Sequence, residues 1–299
     1  MIYEGQCHCG LRKILDLPLS GLHLPCDLLF VLSEFGRPDA SFFTVKRPHV
    51  IASANWLLPT VLSTTAGAVD VIGFLALGGL FTAHITGNLV ILAAHYVTGS
   101  FSEVGPLLSV PVFVAVLCAV TLAFREGDTP CRSRRRALLI LQLGLLAGFL
   151  GLGATFGPFA DADSVPAVFV GMLGVTAMAT QNALVRLALP GSPSTAVLTT
   201  NITQLTIDLT TLARRRGQPD ELARSRYRAS LTFPCVVGFL AGCAAGAFLE
   251  IHFHLLALVL PVALAVLAVP LGELWTDGRA PQNVEIQRRE TASFVHPPG

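Results

Sequence analysis

Long apolar runs separated by short polar stretches fill the chain between residues 57 and 274. Six of them reach the ~20 residues that a helix needs to cross a ~30 Å hydrocarbon layer. They occupy residues 59–81, 105–124, 137–157, 165–187, 229–249 and 255–274. Two further runs, 86–97 and 195–213, are apolar but short or interrupted by polar residues. The pattern predicts an all-α, polytopic transmembrane helical bundle, six full spans plus two short helices. The expected divisions are a polar extension over residues 1–55, a first membrane repeat over 56–126, a basic loop and connecting span over 127–157, a second repeat with the last span over 158–274, and a disordered tail over 275–299. Pro18, His23, Pro25 and Asp27 interrupt the only apolar stretch of the extension. Those interruptions speak against a signal peptide, and a start assigned too far upstream is one source of such a stretch.

The placement of charge decides how the two short segments are read. Nineteen of the twenty Lys and Arg lie in four stretches, 12–47, 125–136, 214–228 and 279–289, and Arg186 is the exception. Cytoplasmic loops are enriched in Lys and Arg, so all four stretches belong on one side. That sidedness holds with six crossings if 86–97 and 195–213 each dip into the membrane and return, entering from opposite sides. Eight full spans would leave one basic cluster on the wrong side. Re-entry requires an internal cavity, because irregular backbone is tolerated at membrane depth only where protein or water covers it. The expected location is the plasma (inner) membrane with both termini cytoplasmic and the bilayer itself as the first partner.

A repeat supports this division. Thr82-Ala83-His84-Ile85-Thr86-Gly87-Asn88-Leu89 aligns with Thr195-Ala196-Val197-Leu198-Thr199-Thr200-Asn201-Ile202. Each copy follows a span rich in small residues and precedes another, and six-span parity makes the halves inverted, as in many secondary transporters. Thr and Asn cap the N–H groups of a helix that begins within the membrane, and that end carries partial positive charge. Thr86, Asn88, Thr199 and Asn201 are therefore solute-binding candidates, with capping alone as the other reading. Gln181 and Asn182 join them from the span before the second copy.

Acids in an apolar segment usually face a cavity or a partner. Asp70 is the only Asp, Glu, Lys or Arg between Pro59 and Phe101. Asp208 follows Asn201 by the spacing at which His95 follows Asn88. The two would meet across a pseudo-symmetry axis and form a proton relay with Asp70. Alternatively, Asp208, which lies near the Arg214–Arg216 cluster, pairs with an arginine, and His95 sits at the interface near Tyr96. The glycine stripes Gly238-x-x-x-Gly242-x-x-x-Gly246 and Gly144-x-x-x-Gly148 predict close helix contacts, within one chain or across a homo-oligomer.

Composition narrows the chemistry. The chain is 53% hydrophobic and 13% charged, with a net charge of +1, so it lacks both the polar surface of a soluble globule and the basic excess of a nucleic-acid binder. Cys7-His8-Cys9 with Cys26 lacks zinc-site spacing, so no metal and no cofactor are expected. Phosphate-loop, zinc-protease and nucleophile-elbow motifs are missing, and an enzyme is not expected.

The run A-G-A-V-D-V-I-G-F-L-A-L-G-G-L-F-T-A-H-I-T-G-N from Ala66 to Asn88 resembles the hallmark of the YoaK family of membrane proteins, which carry a domain of unknown function. M-A-T-Q-N-A-L-V-R from Met178 and V-L-T-T-N-I-T-Q-L from Val197 resemble that family's other characteristic segment. The resemblance covers residues 57–269 and implies a polytopic membrane protein, with no substrate or catalytic residue to transfer. Two functions fit these observations. One is a small-solute transporter or channel with a polar midplane site at the two helix starts. The other is a non-transporting interaction or sensor protein whose arginine loops meet anionic lipid or a partner.

Overall fold

The computed structural model describes residues 55–98, 104–124, 131–214 and 218–275. The polar extension with Cys7, Cys9 and Cys26, and the tail after Trp275, lie outside the described residues. The helices are α1 (Leu57–Ala76), α2 (Ile85–Thr98), α3 (Val104–Ala123), α4 (Cys131–Phe156), α5 (Val165–Ala188), α6 (Leu198–Arg214), α7 (Pro219–Phe253) and α8 (Val259–Leu274), with a 3-10 turn over His254–Leu258. Five stretches are long and apolar enough to cross a membrane: α1, α3, α4, α5 and the continuous Pro219–Leu274, which holds both α7 and α8. His254, at φ 51°, breaks that last stretch in two.

Boundaries differ from the hydropathy pattern where local chemistry overrides it. The first span ends at Ala76 rather than at 81 because Gly78 and Gly79 take φ of 63° and 94°, conformations that terminate a helix. The arginine cluster expected in a loop is helical, riding on the first turns of α4. Helix α7 starts ten residues before the apolar run at 229, with Pro219 in its first turn followed by Asp220 and Glu221, a good helix start.

Packing contacts set the direction of each helix. Gly238 lies against Thr60, Gly242 against Thr64, and Gly246 against Ala68 and Val71, so α1 and α7 run parallel. The stripe of small residues lets the two backbones touch. Helices α3 and α5 are likewise parallel: the Val104 N–H donates to Asp163 at one end, and Val120 packs with Val185 and Ala188 at the other. Helix α4 is antiparallel to α5, with Gln142 on Gln181 and Phe149 on Gly174. It is also antiparallel to α8, with Leu139 on Gly272 and Gly153 on Leu255. The Gly144 stripe makes no comparable contact, because Gly144 lies on the exposed face of α4 and a Cβ there would meet nothing within 4 Å.

Arg135, only 1% exposed, closes one end of the bundle. Its guanidinium donates to the carbonyls of Gly272 (2.7 Å), Ala188 (3.4 Å) and Trp275 (3.4 Å), satisfying groups that helix ends leave unpaired. The outer surface is apolar: only 17% of the most apolar window of α3 is buried, and Val90, Leu122, Phe248 and Ile251 stand well exposed. A surface of this kind suits lipid rather than water.

Candidate functional site

The short helices begin inside the bundle. After α1 ends, the chain turns back so that the Thr82 methyl faces Gly73 of α1 and Gly174 of α5, and α2 starts at Ile85. A backbone that stops and restarts among apolar helices leaves N–H groups needing acceptors. Asp70 supplies them. Its Oδ1 accepts the Ala83 N–H at 2.7 Å, with longer contacts of 3.4 Å from the His84 N–H and the Thr82 hydroxyl. Oδ2 lies 2.6 Å from His84 Nδ1. An ionised carboxylate only accepts, so Nδ1 carries the proton of this bond.

Asn88 secures the same turn from the other side. Its Oδ1 accepts the Phe81 N–H (2.8 Å), and its Nδ2 donates to the Phe81 carbonyl (2.7 Å) and to Ser109 Oγ on α3 (2.8 Å). The second copy of the motif repeats the arrangement. Asn201 Nδ2 donates to the carbonyl of Ser194, seven residues before it, as Asn88 does to Phe81. Thr195 accepts from Gln181 Nε2 (2.9 Å), where Thr82 meets Asp70. Gln181 is further committed to the Leu62 carbonyl and to Gln142.

A cleft of about 520 Å³ opens beside the first of these turns. Asp70, Val71 and Phe74 of α1, Phe81, His84, Thr86, Gly87 and Val90 of the turn and α2, and Phe239 and Cys243 of α7 line it. The aromatic side chains form a wall: Phe74 and Phe81 centroids are 4.7 Å apart, and His84 meets Phe239 edge-on at 5.5 Å. The Asp70 side chain is 6% exposed and that of His84 34%. The acid is thus the more buried partner, and Nε2 is the ring nitrogen that the contact with Asp70 leaves uncommitted.

Asp70 lies at the cleft, and its imidazole partner there is His84. His84 is the residue that faces the cleft, and the signal was present: it is the polar member of a motif position that carries Val197 in the other copy. Of the solute-binding candidates only Thr86 lines the cleft. Asn88, Asn201 and Gln181 are buried and committed to backbone and neighbouring side chains, and Thr199 is exposed on α6. Asn182 donates to Met178 of its own helix. Helix α2 packs on α3 whereas α6 packs on α7, and the cleft lies between α1, α2 and α7.

Asp208 is also resolved differently from the relay. It is fully buried and forked by Arg228 of α7, whose Nε lies 3.2 Å from both oxygens, while Gln204 donates to Oδ2 at 3.0 Å. The arginine is on the facing helix, which an antiparallel hairpin brings alongside. His95, half-buried on α2, is not among the partners of Asp208. The arginines of α4 are partly spent as well: Arg135 is buried, and Glu273 takes Arg132 at 2.6 Å and Arg136 at 3.8 Å. Among the described residues no group of three or more His, Cys, Asp or Glu has the arrangement of a metal site.

A family profile described as protein of unknown function (DUF1275) matches residues 58–271, well over half of the chain. The chain belongs to the DUF1275 family. The UPF0700 transmembrane protein YoaK of Bacillus subtilis (strain 168) is 42% identical to it over 72 residues, which is 24% of this chain and 31% of that relative. The match therefore spans under a third of the relative's length. No solved structure matches. Membership of DUF1275, the transmembrane relative and the apolar helices together make this an integral membrane protein, in agreement with the resemblance carried by the 66–88 and 178–205 segments.

Proposed function

We propose that this DUF1275 protein is a small-solute transporter or channel, with the cleft at the start of α2 as its solute site. In this reading His84 is the proton-exchanging group and Asp70 the residue that positions it. The observation that carries the reading is an acid and imidazole pair, buried on one side and open to an aromatic cleft on the other, at a helix start within the bundle. Ionisable groups at such depth commonly mark solute or proton paths.

The topology we propose is six spans with α2 and α6 re-entrant from opposite faces, related by an inverted repeat. Three observations support it. The helix directions alternate as six crossings require, and α1·α7 and α3·α5 are both parallel pairs, as an inverted duplication would generate. The two motif copies also share the Asn-to-carbonyl bond. Both termini then lie on the side of the basic stretches, the cytoplasmic side of a plasma membrane. The alternative role, a basic surface for lipid or a partner, is weakened by the burial of Arg135 and the pairing of Arg132 and Arg136.

Purified protein in liposomes with an imposed pH gradient tests the reading. Proton-linked solute flux is expected in the wild type, and it should lose its pH dependence in Asp70→Asn. Unchanged pH-dependent flux in that variant would remove Asp70 from the role.

A further inference from the structure

We infer that the cleft takes a lipophilic organic acid, a carboxylate on an aromatic or branched apolar body, with His84 Nε2 exchanging its proton. This rests on the cleft being a solute site and names the class of solute.

The walls select the body. Phe74, Phe81, Phe239, Val71 and Val90 present almost continuous apolar surface, which rewards an apolar ligand and offers nothing to a sugar or an amino-acid backbone. Val90 is 68% exposed on the apolar outer face of the molecule, so the cleft opens where a membrane-dissolved molecule would arrive.

The polar end selects the head group. Both oxygens of Asp70 are engaged by Ala83, His84 and Thr82 and its side chain is 6% exposed, so the carboxylate is little open to an organic cation. The group on offer is Nε2 of His84. Thr86 and Gly87, from the first turn of α2, also line the cleft, and this end of a helix favours negative charge. The cleft's other titratable groups are Asp70 on α1 and Cys243 on α7, whose Sγ is bound to the Gly67 carbonyl at 3.4 Å. An acid entering un-ionised gives its proton to Nε2: the ligand O–H bond breaks, an N–H bond forms, and a carboxylate is left against an imidazolium. Asp70 retains its own charge and steadies the imidazolium through Nδ1.

The test is titration calorimetry of the full-length protein in detergent with four probes sharing one ring system: naphthoic acid, methyl naphthoate, naphthol and naphthylmethylamine. The acid is expected to bind roughly tenfold or more tightly than each of the others, the advantage typical of a hydrogen bond between charged groups. Repeating the titration in buffers of different ionisation enthalpy should show proton uptake with the acid that grows as pH rises, and none with the ester. His84→Val, the residue of the other motif copy, should abolish the preference and the uptake yet still bind the ester, which reports an intact cleft. Cys243→Phe, which fills the cleft, should weaken all four probes. The inference is overturned if naphthol or the amine matches the acid, if uptake is missing, if the preference survives in His84→Val, or if Cys243→Phe binds the acid like wild type. Acid preference without flux in liposomes would defeat the transport reading and leave the ligand class standing. Flux without acid preference would do the reverse.

Discussion

Asp70 and His84 act as one unit because the carboxylate fixes which imidazole nitrogen bears the proton. Asp70→Asn keeps an oxygen for the Ala83 N–H but turns an amide donor toward Nδ1, so the ring must carry its proton on Nε2 instead. Folding should survive, with a thermal midpoint in detergent close to wild type, while the pH dependence of flux or ligand binding is lost. A large drop in stability with an unchanged pH profile would make the pair purely structural. Asp208 and Arg228 offer the contrasting case, a buried acid with a committed cation. Arg228→Ala leaves Asp208 with only the neutral partners Gln204 and Ser225 and is expected to cost about 2–3 kcal/mol in unfolding measurements. A cycle with Asp208→Asn should recover much of that loss, since a neutral amide no longer needs the guanidinium.

Among the helices, the parallel contact of α1 with α7 builds the cleft, because it sets Phe239 and Cys243 opposite Asp70. A Cβ at Gly242 would overlap the Thr64 carbonyl, whereas one at Gly144 meets nothing within 4 Å. Gly242→Ala is therefore expected to cost about 2–3 kcal/mol and to disturb ligand binding. Gly144→Ala should be neutral or stabilising by the ordinary helix preference for Ala. Equal effects of the two on the thermal midpoint would contradict the packing. The two stripes read alike in sequence, since spacing reports which residues share a helix face and not whether a neighbour occupies it.

For the molecule as a whole, the six-span topology proposed above would place the C-terminal ends of α2 and α6 on opposite faces. A thiol at Tyr96, which is 92% exposed near the end of α2, should react with an impermeant reagent from the non-cytoplasmic side. A thiol at Arg214, the last residue of α6, should react from the cytoplasmic side. Labelling of both from one face would rule out the six-span arrangement. The asymmetry of the halves also bears on mechanism. The first half holds an acid and a histidine where the second holds a glutamine and a valine, so under the proposed function proton exchange would be confined to one half.

Much was decided by sequence alone. Apolar run length, scarcity of charge and grouping of arginines specify a helical membrane protein, since they depend only on the cost of placing polar groups in hydrocarbon. The recurring motif spans the starts of both short helices, and Asp70 stands out as the one charged residue of its apolar run. What tertiary structure decided were the partners. Whether Asp70 meets His84 or His95, whether Asp208 serves a relay or an arginine, and whether Asn88 contacts solute or its own backbone depend on which helices lie side by side and in which direction. A chain turning back on itself at Gly78 and Gly79 brings His84 to Asp70 across a gap that no periodicity encodes. The cleft exists only because α7, distant in the chain, runs parallel to α1 and supplies its third wall.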